Sequence, residues 1–482
     1  NTKYLFLVLF LSFAVTSCED FSTDLSVANL EDPSSGQLGT EATASKLFQN
    51  WYTSVNAYRS PSLMLGTMSD MHSCSWGNGG MRDASSEPRV QWNNDAAYSY
   101  QDWTNSFFTA MHVVLADANG IMSSIDNGAT FSDNNMVAAI AKMSQGLSVG
   151  YLALNFDRVW LSDESGTIND GNAVPYQDAI AFAITKLNEA IAIADANAFT
   201  VDATYFAGKS MSNTQLSKLL NSFAARILIN SVRNSTQRDA LDWGAINTYA
   251  TNGLTADFTI TGDGWNDWVS AWPLYSFFPG WGRVDMRVIN LMDPNTISYW
   301  VSTNTVAAQS TSVDARLLSD FEYLNGQAFI SSRGLYHYSS YRHSRYDSYI
   351  AASYEGEFPE IMSAEISLYK AEALLRTGDL AGAAAILNAA SNPRKSRGNL
   401  ADVAANATDI AAAIHYERSI EILSTGSGLS FYEMRRENLL QAGTPLHFPV
   451  PGKQLQAAKI DTYSFGGTTG TAGEDYSISG WR

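Results

Sequence analysis

The 482-residue chain has only two cysteines, Cys18 and Cys74, too few for a disulfide scaffold or a multi-cysteine zinc site. Basic residues are also sparse. Thirty Lys plus Arg stand against 48 Asp plus Glu, a formal charge of -18. That balance argues against a DNA- or RNA-binding face, which needs a basic stripe. The six histidines show no H-E-x-x-H spacing, so a zincin-type metal site is not expected. Strand-like alternation is confined to short stretches such as 257–260 and 328–330. Charged residues make up 16% and hydrophobic residues 45%, so the chain has ample material for a large core. At roughly 150 residues per domain the length allows about three domains, or one intimately packed unit. Aromatic residues are plentiful at 12%, with 12 Trp and 23 Tyr.

The amino terminus carries an address. Lys3, an apolar run over residues 4–15 and then Thr16-Ser17-Cys18 describe a secretory signal. The run is too short to span a bilayer, which takes about 20 apolar residues. Val15-Thr16-Ser17-Cys18 also resembles a bacterial lipobox, whose cysteine becomes the first mature residue and carries acyl chains. The reading is a signal peptide over 1–17, lipidation at Cys18, a polar tether over 18–40 and a single domain over 41–482. A diacylglycerol plus an N-acyl chain exceeds the two signals that stable anchoring takes. No later segment reaches spanning length without charges, so the membrane is met through the N-terminal lipid only.

Helical spacing dominates the rest. Apolar residues recur at the helical period over 41–58, 102–124, 134–157, 176–195 and 215–233. The clearest unit is IMSAEISLYKAEALLR over 361–376, broken by Thr377-Gly378-Asp379, with an Ala-rich second helix over 380–390. Gly378 suits a left-handed helix cap. Two helices around a tight turn, with Ala371, Ala373, Ala383 and Ala384 at the contact, form a tetratricopeptide-like hairpin, though no strict 34-residue repeat is present. The fold class is therefore mostly α: a hairpin scaffold over about 41–58, 102–233 and 361–440, beside loop-rich regions over about 60–101 and 243–350. Half the tryptophans fall within 243–300 (Trp243, Trp265, Trp268, Trp272, Trp281 and Trp300), where Pro273, Pro279 and Gly280 break any helical period. Loops of that length are usually functional.

The block AEISLYKAEALLRTGDLAGAAAILN over 364–388 resembles the C-terminal hairpin of the SusD/RagB family, nutrient-binding outer-membrane lipoproteins of Bacteroidetes. His415-Tyr416-Glu417-Arg418, Glu421, Gly426, Gly428, Phe431-Tyr432-Glu433-Met434-Arg435-Arg436 and Phe448-Pro449-Val450-Pro451 follow in the family's order. Glu19-Asp20, after the lipobox cysteine, is similar to the acidic surface-export signal of such lipoproteins. Leu429-Ser430 departs from the family's Arg, and the closing Gln-Asn-x-Gly-Tyr is replaced by Tyr463-Ser464-Phe465-Gly466-Gly467. The resemblance implies four helix-turn-helix pairs beside irregular ligand loops. It also implies docking as a lid on a TonB-dependent SusC-like barrel, a partner that receives the captured nutrient. Residues 60–350 match only in general layout, so the ligand is not carried over.

The segment SDMHSCSWGNGGMRDASSEPR over 69–89 sets Trp76 and Asn78 near Arg82 and Asp83. A flat ring stacks on a pyranose while amide and guanidinium groups bond its hydroxyls. The same set suits a peptide, with Arg82 at a carboxylate and Asp83 at an amine. Trp92, Trp265, Trp268, Trp272, Tyr338 and Tyr341 complete the ligand-binding candidates, the last two within YHYSSYRHSRYDSY. Such aromatic and basic interleaving also occurs in single-strand nucleic-acid binders, which the acidity and the extracellular address oppose. Enzyme motifs fail. Gly146-Leu147-Ser148-Val149-Gly150 fits G-x-S-x-G inside a helical period, where the nucleophile elbow cannot form. Residues 163–172 are acidic but out of EF-hand register. His112, His415 and His447 read as core or surface residues, and Cys74 as a buried thiol. The expectation is an oligosaccharide- or oligopeptide-binding protein with no catalytic residue, cofactor or metal; the alternative is a surface hydrolase of the same polymer.

Overall fold

A computed structural model describes residues 39–74, 78–273, 278, 282–298, 308–325 and 338–481, with backbone only for Cys74 and Asn78. Cys18, Trp76 and the predicted strand at 328–330 lie outside the described residues, as do Trp281 and Trp300.

The helical expectations hold closely. Helix α1 (Glu41–Asn56) starts where the Thr40 hydroxyl accepts from Thr43 N at 3.2 Å, and buries Leu47, Phe48, Trp51, Tyr52 and Val55. Helices α2 (Asp102–Asp126) and α3 (Asn134–Asn155) follow. The Asp133 carboxylate caps α3, accepting from Asn135 N and Met136 N at 2.9 and 3.0 Å. Such a cap satisfies donors that the first helical turn leaves unpaired. Helix α3 is long and apolar enough to cross a membrane, yet every residue from Met136 to Asn155 is buried inside this body. It is the central helix. A Cβ on Gly146 would lie 2.7 Å from Leu187 Cγ, and one on Gly150 2.6 Å from Ile227 Cδ1. The two glycines of the G-x-S-x-G match therefore admit α4 (Tyr176–Ala196) and α5 (Asn213–Asn230) against α3. Helix packing explains that motif.

Helix α6 (Trp243–Asn252) corrects the reading of 243–300 as loop from its start. Asp242 caps it, accepting from Ala245 N at 2.8 Å, and α6 packs against α5 and α7 (Ser363–Thr377). The helix breakers Pro273, Pro279 and Gly280 all lie beyond it, and Trp243, Ile246 and Ala250 form a buried helical stripe. Helix α7 ends at Gly378, whose φ of 89° is the left-handed cap expected. Asp379 caps α8 (Leu380–Asn388), which meets α9 (Ala407–Ile420); α10 (Leu429–Arg436) packs on α5. The pairs α2/α3, α4/α5, α6/α7 and α8/α9 stack in succession. Across the stack, Arg226 of α5 donates from Nε to Glu365 Oε1 and from Nη1 to Glu360 Oε1, both at 2.7 Å and all buried.

Strands are few and pair antiparallel. β1 (His72–Cys74) pairs with β3 (Gly282–Val284), and β2 (Phe258–Asp263) with β6 (Glu355–Ile361). β4 (Phe321–Tyr323) pairs with β5 (Tyr341–His343). Through β1 and β3 the two loop-rich regions meet: Ser73 Oγ donates at 3.1 Å to Asp285 Oδ2, 212 residues away.

Candidate functional site

The end of α1 organises an aromatic face. Asn56 O accepts from Ala271 N and Trp272 N at 3.0 and 3.2 Å, and Asn56 Oδ1 accepts from Ser270 Oγ at 3.0 Å. These bonds fasten the segment after β2 to the scaffold. At the end of β2 the Asp263 carboxylate accepts from Asp267 N and Trp268 N at 3.2 and 2.8 Å. The turn folded around Asp263 drives Trp268 inward and leaves Trp265 outside. Trp268 packs on Tyr52, with ring centroids 5.6 Å apart, while Trp265 is 56% exposed and meets Tyr354 in a T-shaped contact at 4.6 Å. Beside them Tyr58, half-buried just beyond α1, packs on Trp103 at 5.6 Å and on the cluster of Tyr349, Tyr354 and Phe358.

Residues 78–80 reach this face. Gly79 has φ 62°, and a Cβ there would stand 2.4 Å from the Trp103 ring, so backbone is laid directly on indole. Only glycine satisfies both conditions without strain. The short helix Met81–Ala84 that follows exposes Arg82 and Asp83. Arg82 has no ion pair with a described residue, whereas Asp83 accepts from the Tyr98 hydroxyl. Burial, reinforced by Asp83, pushes the Tyr98 phenol well above its ordinary range. It stays a donor.

The ten predicted ligand residues separate accordingly. Trp265, Arg82 and Asp83 present themselves to solvent. Trp76 and the Asn78 side chain are outside the described set. The other five are buried. Trp272 is 1% exposed and Trp268 is in the core. Trp92 is clamped edge-to-face by Phe448 at 5.2 Å and Tyr98 at 5.6 Å. Tyr341 packs on Tyr323, and its hydroxyl accepts from Ser310 N at 2.8 Å; Tyr338 bridges Asp285 across the backbone. These rings brace the loops and have no face free for stacking. Tyr58 and Tyr354 belong to no sequence motif that marks a binding face, although Tyr58 stands where the helical period of α1 stops, before Pro61.

Groups with potential chemistry are otherwise engaged. Ser148, buried in α3, donates to Ser144 O at 2.7 Å. Burial opposes ionisation of Glu164, yet hydrogen bonds from Lys142 at 2.6 Å and Gln145 at 2.8 Å hold it down at about 2. Asp163, in the same acidic turn, lies 3.5 Å from Lys186 Nζ. His112 shares its ring nitrogens with Phe108 O and Trp160 O, and His415 contacts Glu433 at 2.8 Å. His447 is pushed down to about 4 by burial, with Arg233 and Arg435 close by.

No protein-family model and no curated protein matches the sequence. Solved structures do. A SusD-like carbohydrate-binding protein from Bacteroides vulgatus is 17% identical over 83% of each chain, with TM-score 0.54. A chitin-binding SusD homolog from Flavobacterium johnsoniae is 12% identical over 82% of this chain and 86% of its own, with TM-score 0.52. A SusD superfamily protein from Parabacteroides distasonis is 11% identical over 86% and 97%, with TM-score 0.59. At such identities the likeness is one of architecture. This chain has the SusD-like fold, a tetratricopeptide-like helical stack carrying irregular loops.

Proposed function

We propose that this chain is a lipid-anchored, cell-surface binding protein of the SusD kind. It takes an oligosaccharide on the aromatic face around Trp265, Tyr58 and the Arg82–Asp83 helix, and delivers it as a lid to a TonB-dependent SusC-like barrel. The observation that carries this reading is the SusD-like fold with Trp265 held outward on it. An indole face stacks on sugar C–H bonds, and Arg82 and Asp83 supply a donor and an acceptor for hydroxyls. Two similar structures are described as carbohydrate-binding and chitin-binding, which favours saccharide over peptide here. The lipobox at Cys18 supports anchoring at the membrane. Binding and release need no covalent change.

Calorimetry of the lipid-free chain against chitohexaose, other neutral oligosaccharides and mixed tripeptides tests the ligand, with product analysis on the same samples. Saccharide heats with no cleavage are expected. Peptide-only binding, or turnover of either polymer, refutes the reading. Solubilised membranes should yield the chain together with a large β-barrel, and its repeated absence removes the delivery step.

A further inference from the structure

Residues 91–96 and 452–464 enclose a groove of about 730 Å³, within the roughly 300–1,000 Å³ of ordinary ligand sites. Its floor is fixed by hydrogen bonds between the two segments. Trp92 N donates to Phe465 O at 2.9 Å, and Asn94 Nδ2 donates to Val450 O and Tyr463 O at 2.9 and 3.0 Å. Asn94 Oδ1 in turn accepts from Gly452 N at 3.0 Å. A Cβ on Gly452 would fall 2.0 Å from Asn94 O, so the segments touch backbone to backbone. The groove is preformed.

Its rim is chemically different. Asn93 uses Oδ1 to accept from Asp95 N at 3.0 Å, which leaves its NH2 group for solvent. The Gln456 amide, the Thr462 hydroxyl and the Asp461 carboxylate are exposed and have no hydrogen bond to a described residue. Ile460, 48% exposed, and Tyr463 give the wall an apolar part. No lysine or arginine lines the groove, while Asp95 and Asp461 do. Of the cations on the same segment, Lys453 is paired with Asp102 at 3.3 Å and Lys459 stands outside the lining, so the two lining carboxylates disfavour an anionic ligand, and amides with carboxylates pair well with hydroxyls, which both donate and accept. Trp92 separates this groove from the aromatic face: a Cβ on Gly80, in the loop carrying Arg82, would lie 3.1 Å from its Cη2.

We infer that the groove between residues 91–96 and 452–464 is a second saccharide site, selective for neutral, hydroxyl-rich ligands and separate from the aromatic face. The inference rests on the saccharide reading above. Two sites on one rigid body let a polymer engage at two points, so that the second contact forms at high effective concentration.

The test uses an array of neutral, uronate-bearing and sulfated oligosaccharides with four proteins: wild type, Trp265→Ala, the groove pair Asn93→Ala with Gln456→Ala, and the triple variant. All changes lie at exposed positions, and cooperative melting curves verify the folds. Wild type should bind neutral members, and the groove pair should lower that affinity about tenfold, as expected for two lost hydrogen bonds. Trp265→Ala should retain residual binding that the triple variant loses. Unchanged binding by the groove pair, alone and in the Trp265→Ala background, refutes the second site and leaves the first reading standing. Binding of charged glycans only also refutes it. A wild type that binds no glycan overturns the saccharide reading itself.

Discussion

The Trp265 indole meets the Tyr354 ring edge-on, with centroids 4.6 Å apart and planes at 64°. The contact braces the indole while more than half of its surface stays exposed. Replacing Trp265 by Ala should cut oligosaccharide affinity roughly tenfold, the scale of one aromatic stacking contact of about 1.5 kcal/mol. Unfolding should shift by about 2 kcal/mol, less than for a core tryptophan, since more than half of the side chain is already exposed. Calorimetry and urea titration read the two effects on the same protein.

Trp272 should behave in the opposite way. It is 1% exposed and its backbone is tied to Asn56. Trp272→Ala opens a large void and should cost about 3–5 kcal/mol, seen as a lower urea midpoint. Any surviving folded protein should keep near-wild-type affinity, because the ring itself does not face the ligand.

The Arg226 pair predicts an asymmetry. Arg226→Met strands Glu360 and Glu365 together in the interior, a loss of about 3–5 kcal/mol. Adding Glu365→Gln should restore part of it. If the double variant proves less stable than the single, the buried-charge explanation fails.

His447 supplies a pH signature. Its Nδ1 accepts from Arg233 Nε at 3.3 Å, so the folded protein holds a neutral ring, and burial near Arg233 and Arg435 lowers its pKa to about 4 despite Asp475. A depressed histidine is protonated first in the unfolded chain. Between pH 6.5 and 4, unfolding therefore takes up a proton and native stability falls as pH drops. Relative to His447→Gln, the wild type should lose about 3 kcal/mol across that window, for 2.5 pK units. Paired urea titrations at pH 7.5, 5.5 and 4.5 isolate the effect from other groups; a constant difference contradicts it.

The scaffold was readable because helical period is a local signal. The 361–376 run, Gly378 and the 380–390 run mark α7, its cap and α8 within one or two residues. Helix α6 departs from the loop expectation because the breakers Pro273, Pro279 and Gly280 act only on the segment that contains them, twenty or more residues beyond the Asp242 cap. The site was harder for a different reason. Trp265, Trp268 and Trp272 are one residue type within eight positions, and their fates differ because Asp263 and Asn56 aim the backbone. Neither relationship has a period. Trp92 and Tyr341 likewise became core through partners far along the chain, Phe448 and Ser310, which composition cannot pair.

Helices α6 and α7 form one packed pair, yet residues 253–362 run between them and carry β2, Trp265 and the paired strands β4 and β5. That stretch is a cassette clamped at both ends by the stack. It is also part of the core, since Trp268, Trp272 and Glu360 are buried against α1 and α5, so helix spacing depends on what it carries. Both ends of the stretch are therefore held within one helix pair, although 110 residues separate them.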